Sequence, residues 1–152
     1  MQALQLKIPP PVVATLIATA MWIAAHGFSG APSTSFGLTF GGPVALFGGA
    51  ISAAGSFAFW RARTTINPLH PEKSSHLVTS GVFRYSRNPM YLGLVITLSG
   101  WAIHLPSQLP FLGPAAFALY IHHFQILPEE RILLALFGAE YERYRTRVRR
   151  WF

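Results

Sequence analysis

The sequence predicts an all-α, polytopic membrane protein with four transmembrane helices, N-in and C-in, and a C-terminal amphipathic interfacial helix. Three observations predict it. Of the 152 residues, 51% are hydrophobic and only 11% are charged, against about a quarter charged in a soluble domain. The charged side chains fall in three places: Lys7, the stretch from Arg61 to Arg87, and the tail from Glu129 to Arg150. The tail is also where apolar and basic residues alternate with a helical period.

Residues 10 to 28 and 40 to 60 hold no charge, and each is long enough to cross a hydrocarbon core of about 30 Å at ~1.5 Å per residue. Residues 88 to 128 are also free of formal charge, and Pro106, Ser107, Gln108 and Pro110 divide them with a turn. Spans are therefore expected over about 10–28, 40–60, 89–105 and 110–127. The last two are short, which favours tilt or local thinning of the bilayer. Lys and Arg are retained on the cytoplasmic side of short loops. With four spans, Lys7, the loop 61–88 and the tail share one side and hold all 12 basic residues. An integral membrane protein whose polar segments face the cytoplasm is expected, as one membrane-embedded domain over residues 1–152. A cleaved signal peptide over residues 1–31 fits less well, because the apolar stretch is overlong and carries one Lys.

The second span holds Gly41, Gly42, Ala45, Gly48, Gly49, Ser52, Ala53, Gly55 and Ser56. Small residues at four-residue spacing let helix backbones approach closely, so tight packing within the chain is expected there. In the tail helix, 129–150, Leu133, Phe137, Tyr141, Tyr144, Val148 and Trp151 fall on one stripe, opposite Arg143, Arg145, Arg147 and Arg150. Such a helix lies at an interface, its arginines suited to anionic lipid headgroups and its aromatic rings to the headgroup level. No catalytic role is expected of those arginines.

Composition also excludes chemistry. With no cysteine, the chain has no disulfide, zinc-thiolate, iron–sulfur or thiol-nucleophile chemistry. The net charge of +7 comes from ten Arg and two Lys against five Glu and no Asp. It suits nucleic acid or an anionic membrane surface, and its confinement to the ends of apolar runs favours the membrane. No nucleic-acid partner is expected. His122 and His123 point about 100° apart on a helix and cannot grip one metal together, so no metal is expected. His26 and His104 fall at the outer ends of spans, and His70 and His76 in the loop.

The loop is too polar to be a mere connector. Thr64, Thr65, Asn67, Pro68, His70 and Pro71 precede an uninterrupted motif from Leu77 to Tyr91, and a loop of about thirty residues is uncommon unless it is functional. Gly81 permits a turn with exposed amides. Asn88 before Pro89 is pushed out of helical geometry, so the third helix should begin at Pro89 with free amides that attract a carboxylate. On the same side, Glu129 and Glu130 follow Pro128. They complement the dipole of a tail helix beginning there, and a carboxylate pair among arginines can equally hold a cation.

The run Leu77, Val78, Thr79, Ser80, Gly81, Val82, Phe83, Arg84, Tyr85, Ser86, Arg87, Asn88, Pro89, Met90, Tyr91 is followed by Glu129, Glu130, Arg131, Leu134, Phe137, Gly138, Tyr141, Tyr144, Val148 and Arg150. Together they resemble the integral-membrane family of isoprenylcysteine carboxyl methyltransferases and phospholipid N-methyltransferases. The first half of the chain carries no signature beyond its spans. The resemblance implies an S-adenosyl-L-methionine site built from the segment before the third helix and the start of the tail. The methionine carboxylate would meet amides near Leu77, Val78, Thr79, Gly81 and the Asn88–Pro89 helix start, with Arg87 beside them. Tyr85 and Tyr91 would offer aromatic surface to adenine, and His123 would face the cleft. Glu129 and Glu130 would accept from the ammonium or ribose, and are the catalytic candidates wherever an acceptor must lose a proton. In this family the position of Asn88 is often His, which Asn replaces without its acid–base capacity. An arginine that the prenylcysteine enzymes carry shortly before the paired glutamates is missing; the stretch reads Ile121, His122, His123, Phe124, Gln125. The expected acceptor is lipophilic and arrives from the bilayer. Two other readings compete. Membrane sterol reductases, which use a nicotinamide phosphate, resemble the same C-terminal region on longer chains; a non-enzymatic membrane scaffold leaves the joint occurrence of the two polar blocks unexplained.

Overall fold

A computed structural model of the chain describes residues 6–29, 37–63, 72 and 74–152. The loop residues Thr64, Thr65, Asn67, Pro68, His70 and Pro71 lie outside the described residues. Among the described residues every regular element is helical.

Helix α1, Pro10–Ser29, opens on two prolines, whose missing amides cost nothing in a first helical turn. Helix α2, Gly42–Arg61, follows a π-helical turn over Gly37–Gly41. Both are long and apolar enough to cross a membrane, over Pro10–Gly27 and Thr39–Arg61. Helix α3, Pro89–His104, has 16 residues and starts directly at the proline. A short 3-10 turn, Leu109–Phe111, leads into α4, Leu112–Ile121.

Helices α2 and α3 pack backbone to backbone. A Cβ on Gly48 would stand 2.5 Å from the Gly93 carbonyl oxygen and the Thr97 nitrogen, and one on Gly100 would collide with Ala45. The small-residue stripe of the second span therefore serves packing inside the chain, with Gly93 and Gly100 as its partners. Two side chains stitch the contact: Ser52 Oγ donates to the Met90 carbonyl at 2.7 Å and Thr97 Oγ1 to that of Ala45 at 3.3 Å. On the other side of α3 lies the core, where Met21 and Ala25 of α1 meet Leu98 and Ala102 of α3 and Phe117 and Ile121 of α4. Trp101 Nε1 crosses to the Ala18 carbonyl at 3.1 Å.

The end of the chain differs from its expected outline. The fourth helix does not stop at residue 127. It continues through a π-helical turn, His122–Ile126, into α5, Leu127–Phe137. Pro128 would clash with the carbonyl one turn earlier in a regular helix, and the wider π-turn immediately before it relieves that clash. Nor is 129–150 one helix. Gly138 breaks it at φ 48°, ψ −122°, a conformation reserved for glycine, and α6 occupies only Ala139–Arg147. Val148 is extended at φ −120°, ψ 128°, so residues 148–152 form a strap. The strap returns to the start of α3: Arg87 N–H donates to the Arg149 carbonyl at 3.0 Å, and Asn88 Nδ2 and Ser86 Oγ donate to that of Arg150 at 3.0 and 3.3 Å.

Candidate active site

The segment before α3 and the α5–α6 end of the chain enclose a cavity of about 90 Å³. Leu77, Val78, Phe83, Arg87, Asn88, Pro89 and Tyr91 form one wall, and Glu129, Glu130, Leu133, Tyr141 and Tyr144 the other, with Phe59 of α2 between them. Local structure sets each wall. Gly81, at φ 62°, starts a 3-10 turn over Gly81–Arg84 that turns Phe83 inward. Phe83 meets the Phe59 ring edge-on at 5.2 Å and accepts at its carbonyl from the Tyr144 hydroxyl at 2.7 Å. Asn88 flanks α3 at φ −130°, ψ 54° without capping it through its side chain, so the first amides of that helix keep their donor capacity.

The two glutamates have different surroundings. Glu130 is gripped by cations. Arg150 donates from Nε to Oε1 at 2.9 Å and from Nη2 to Oε2 at 2.7 Å, and Arg87 Nη1 stands 3.1 Å from Oε1. These charge-assisted bonds raise the Arg150 guanidinium further above its ordinary value. Glu129 has neutral partners: the Tyr91 hydroxyl donates to Oε1 at 2.8 Å and Gln125 Nε2 to the same oxygen at 3.4 Å. Burial pushes its carboxyl up to about 7, although both hydrogen bonds oppose the shift. Burial also raises the Tyr141 and Tyr144 phenols.

Arg87 is the hinge of the arrangement. Beside Glu130 it reaches the Tyr141 hydroxyl at 3.4 Å, yet its Nε is buried and has no hydrogen-bond partner among the described residues. A buried donor left unmade is costly and calls for an acceptor. With an orphaned guanidinium N–H, a carboxylate with neutral partners and open amides at a helix start, the donor set suits a ligand carrying both a carboxylate and an ammonium. The enclosed volume is below the roughly 300–1,000 Å³ of small-molecule sites, so a nucleoside-sized ligand must displace a wall.

Of the residues singled out from sequence, Leu77, Val78, Arg87, Asn88, Pro89, Tyr91, Glu129 and Glu130 come together at this cavity. Thr79 lines a neighbouring recess instead. Gly81 and Tyr85 are exposed, Tyr85 to 80%. His123 is exposed too, its Nδ1 bonded to the Leu119 carbonyl at 3.0 Å. Three residues expected elsewhere join the site. Tyr141 and Tyr144, expected at the headgroup level, are buried cavity walls, and Arg150, expected on the outer arginine face, turns inward. No stop signal in the sequence marks the helix end at Arg147 that turns Arg150 inward. Among the described residues no cluster of metal-ligating side chains is present.

A family model described as phospholipid methyltransferase matches residues 36–140. The chain is 47% identical over 62 residues to an uncharacterised protein of Haemophilus influenzae, a match covering 41% of this chain and 98% of that one. It is 35% identical over 91 residues to a probable protein-S-isoprenylcysteine O-methyltransferase of Oryza sativa subsp. japonica, covering 58% of this chain and 46% of the relative. It is also 35% identical over 79 residues to the protein-S-isoprenylcysteine O-methyltransferase of Schizosaccharomyces pombe, covering 50% and 32%. The chain thus spans less than half the length of these two named relatives. No solved structure is significantly similar to it.

Proposed function

The chain belongs to the phospholipid methyltransferase family, and from that premise we propose that it transfers a methyl group from S-adenosyl-L-methionine to a lipophilic acceptor that reaches the cavity from the bilayer. The observation that carries this reading is the meeting of the 77–91 and 129–144 segments around one cavity that Arg87 lines, its Nε buried and without a hydrogen-bond partner among the described residues. Four spans over about 10–28, 40–60, 89–105 and 110–127, with both ends and the cavity facing the cytoplasm and the tail at the interface, complete the reading. The placement of all 12 basic residues on one side supports that orientation.

Bound there, S-adenosyl-L-methionine supplies an electrophilic methyl group on a sulfonium. The chain binds and orients. The amides at the start of α3, and Arg87 Nε once its side chain turns toward the cavity, are the donors for a carboxylate, and the Glu129 Oε2, which accepts no hydrogen bond among the described residues, is the acceptor for an ammonium or a dissociating proton. Displacement at a methyl carbon needs alignment above all, which the two walls supply. A carboxylate acceptor needs no base; an amine or a phenol gives up a proton, and Glu129, titrating near 7, is poised to take it. Glu130, held by two arginines, keeps the walls together. Phe59, Met90 and Leu133 line the cavity with apolar surface suited to a hydrophobic acceptor.

Thermal unfolding of the purified protein in detergent tests the reading. S-adenosylmethionine and S-adenosylhomocysteine should each raise the midpoint, and reduced nicotinamide phosphates should not. Stabilisation by the nicotinamide alone would point to a reductase, and no response to any of them to a scaffold.

A further inference from the structure

A second recess, of about 500 Å³, lies against the first. Arg84 and Thr79 border it on the segment before α3, and Arg143 and Arg147 border it from α6, one turn apart and so on one face. Glu140 also lies on its border, leaving three guanidiniums against one carboxylate. Among the described residues none of these three arginines forms an ion pair, whereas Arg145, outside the recess, meets Glu142 at 3.7 Å. Like charges around one hollow repel unless an anion sits between them, and guanidiniums match phosphate oxygens in geometry.

The geometry points to a binding site for the phosphate of an anionic lipid headgroup, held between Arg84 on one side and Arg143 and Arg147 on the other. A lipid is favoured over a soluble phosphate by the aromatic residues at this end of the bundle. Trp60, at the end of α2, is 68% exposed, and Tyr85, next to Arg84, is 80% exposed. Exposed Trp and Tyr beside basic residues are the side chains that sit at headgroup level. The site also touches the cavity described above. Tyr144 lines both, and its hydroxyl already ties α6 to the 3-10 turn through the Phe83 carbonyl. A phosphate bridging Arg84 to α6 fastens the same two walls from outside, so the lipid steadies the cavity without entering it. This inference is independent of the methyl-transfer reading, because its readout needs no methyl donor.

The test compares thermal midpoints in uncharged detergent with dihexanoyl phosphatidylglycerol, dihexanoyl phosphatidylcholine, glycerol phosphate or inorganic phosphate. The variants are Arg143→Gln/Arg147→Gln and the charge-matched Arg145→Gln/Arg149→Gln. Phosphatidylglycerol alone should raise the midpoint of the wild type and of the charge-matched variant by several degrees. The Arg143→Gln/Arg147→Gln protein should need at least tenfold more of it for the same rise. If that variant is unfolded without lipid, Arg84→Gln replaces it with the same expectation. Equal response of the site and charge-matched variants, equal stabilisation by phosphatidylcholine, or equal stabilisation by inorganic phosphate would each overturn the proposal.

Discussion

Arg150 and Glu130 form a two-point fork across the break at Gly138, with Nε on one carboxylate oxygen at 2.9 Å and Nη2 on the other at 2.7 Å. The fork joins the strap to α5 and holds the arginine carbonyl where Asn88 Nδ2 can reach it at 3.0 Å. One residue thus links both polar blocks of the chain, through its side chain to the glutamate pair and through its backbone to the start of α3.

Replacing Arg150 should loosen that joint. Arg150→Ala removes two charge-assisted bonds and should cost about 1.5–3 kcal/mol. Arg150→Lys, which offers a point charge and no planar fork, should recover only part of it. The midpoint of unfolding in detergent reads both, with Arg145→Ala as a surface control expected to fall within about 0.5 kcal/mol of the parent.

Glu129 should make stability fall as pH rises. Its carboxyl titrates near 7 in the folded chain against an ordinary value of 4.5, so between these values the folded state holds a proton that the unfolded state has lost. The stabilisation from this group is complete below about pH 4.5 and is lost as pH approaches 7, by at most about 3 kcal/mol. Glu129→Gln should flatten the profile in that window. If Glu129 takes the acceptor's proton, turnover on an amine should rise through pH about 7, and the Gln variant should lose that rise.

The contact between α2 and α3 sorts glycines by what a methyl group would meet. Gly48→Ala forces Cβ onto the backbone of Gly93 and Thr97 and should destabilise by about 1–3 kcal/mol. Gly49→Ala meets nothing within 4 Å, and the higher helix propensity of alanine should leave it neutral or stabilising by up to ~1 kcal/mol. A midpoint comparison of the two variants checks the helix pairing directly.

Tyr144→Phe deletes only the hydroxyl that donates to Phe83 at 2.7 Å. The carbonyl is left without that donor, at a cost of about 1–3 kcal/mol. Because the bond ties the two cavity walls, the affinity for S-adenosylhomocysteine measured by calorimetry should drop along with the midpoint.

Charge-free runs locate the helices well: α1, α2 and α3 begin and end within a few residues of the spans expected from composition. The polar blocks were legible as a pair because turn chemistry at Gly81 and Asn88–Pro89 shows in the residues themselves. What stayed hidden depends on where helices stop. A period of 3.6 carried past Arg147 puts Arg150 on the outer face; ending the helix at Val148 turns it inward. Tyr85 looked like an aromatic platform by its neighbours, but one residue past a 3-10 turn it points to solvent. The different surroundings of Glu129 and Glu130 were equally illegible, because they come from Tyr91, Gln125, Arg87 and Arg150 meeting across the fold.

The π-turn at His122–Ile126 acts as an angular setting on everything beyond it. A π-turn takes up one residue more than an α-turn, so the helices on either side of it keep a common heading despite the added residue. Deleting that residue would let the turn close into regular helix with Glu129 still headed toward Tyr91, but Pro128 would then meet the carbonyl one turn earlier. Inserting a further residue, with no wider turn to absorb it, would rotate both glutamates by about 100° away from their partners while leaving the upstream core at Phe117 and Ile121 untouched. The surplus residue between Phe117 and Glu129 is therefore what lets a proline stand directly before the glutamate pair.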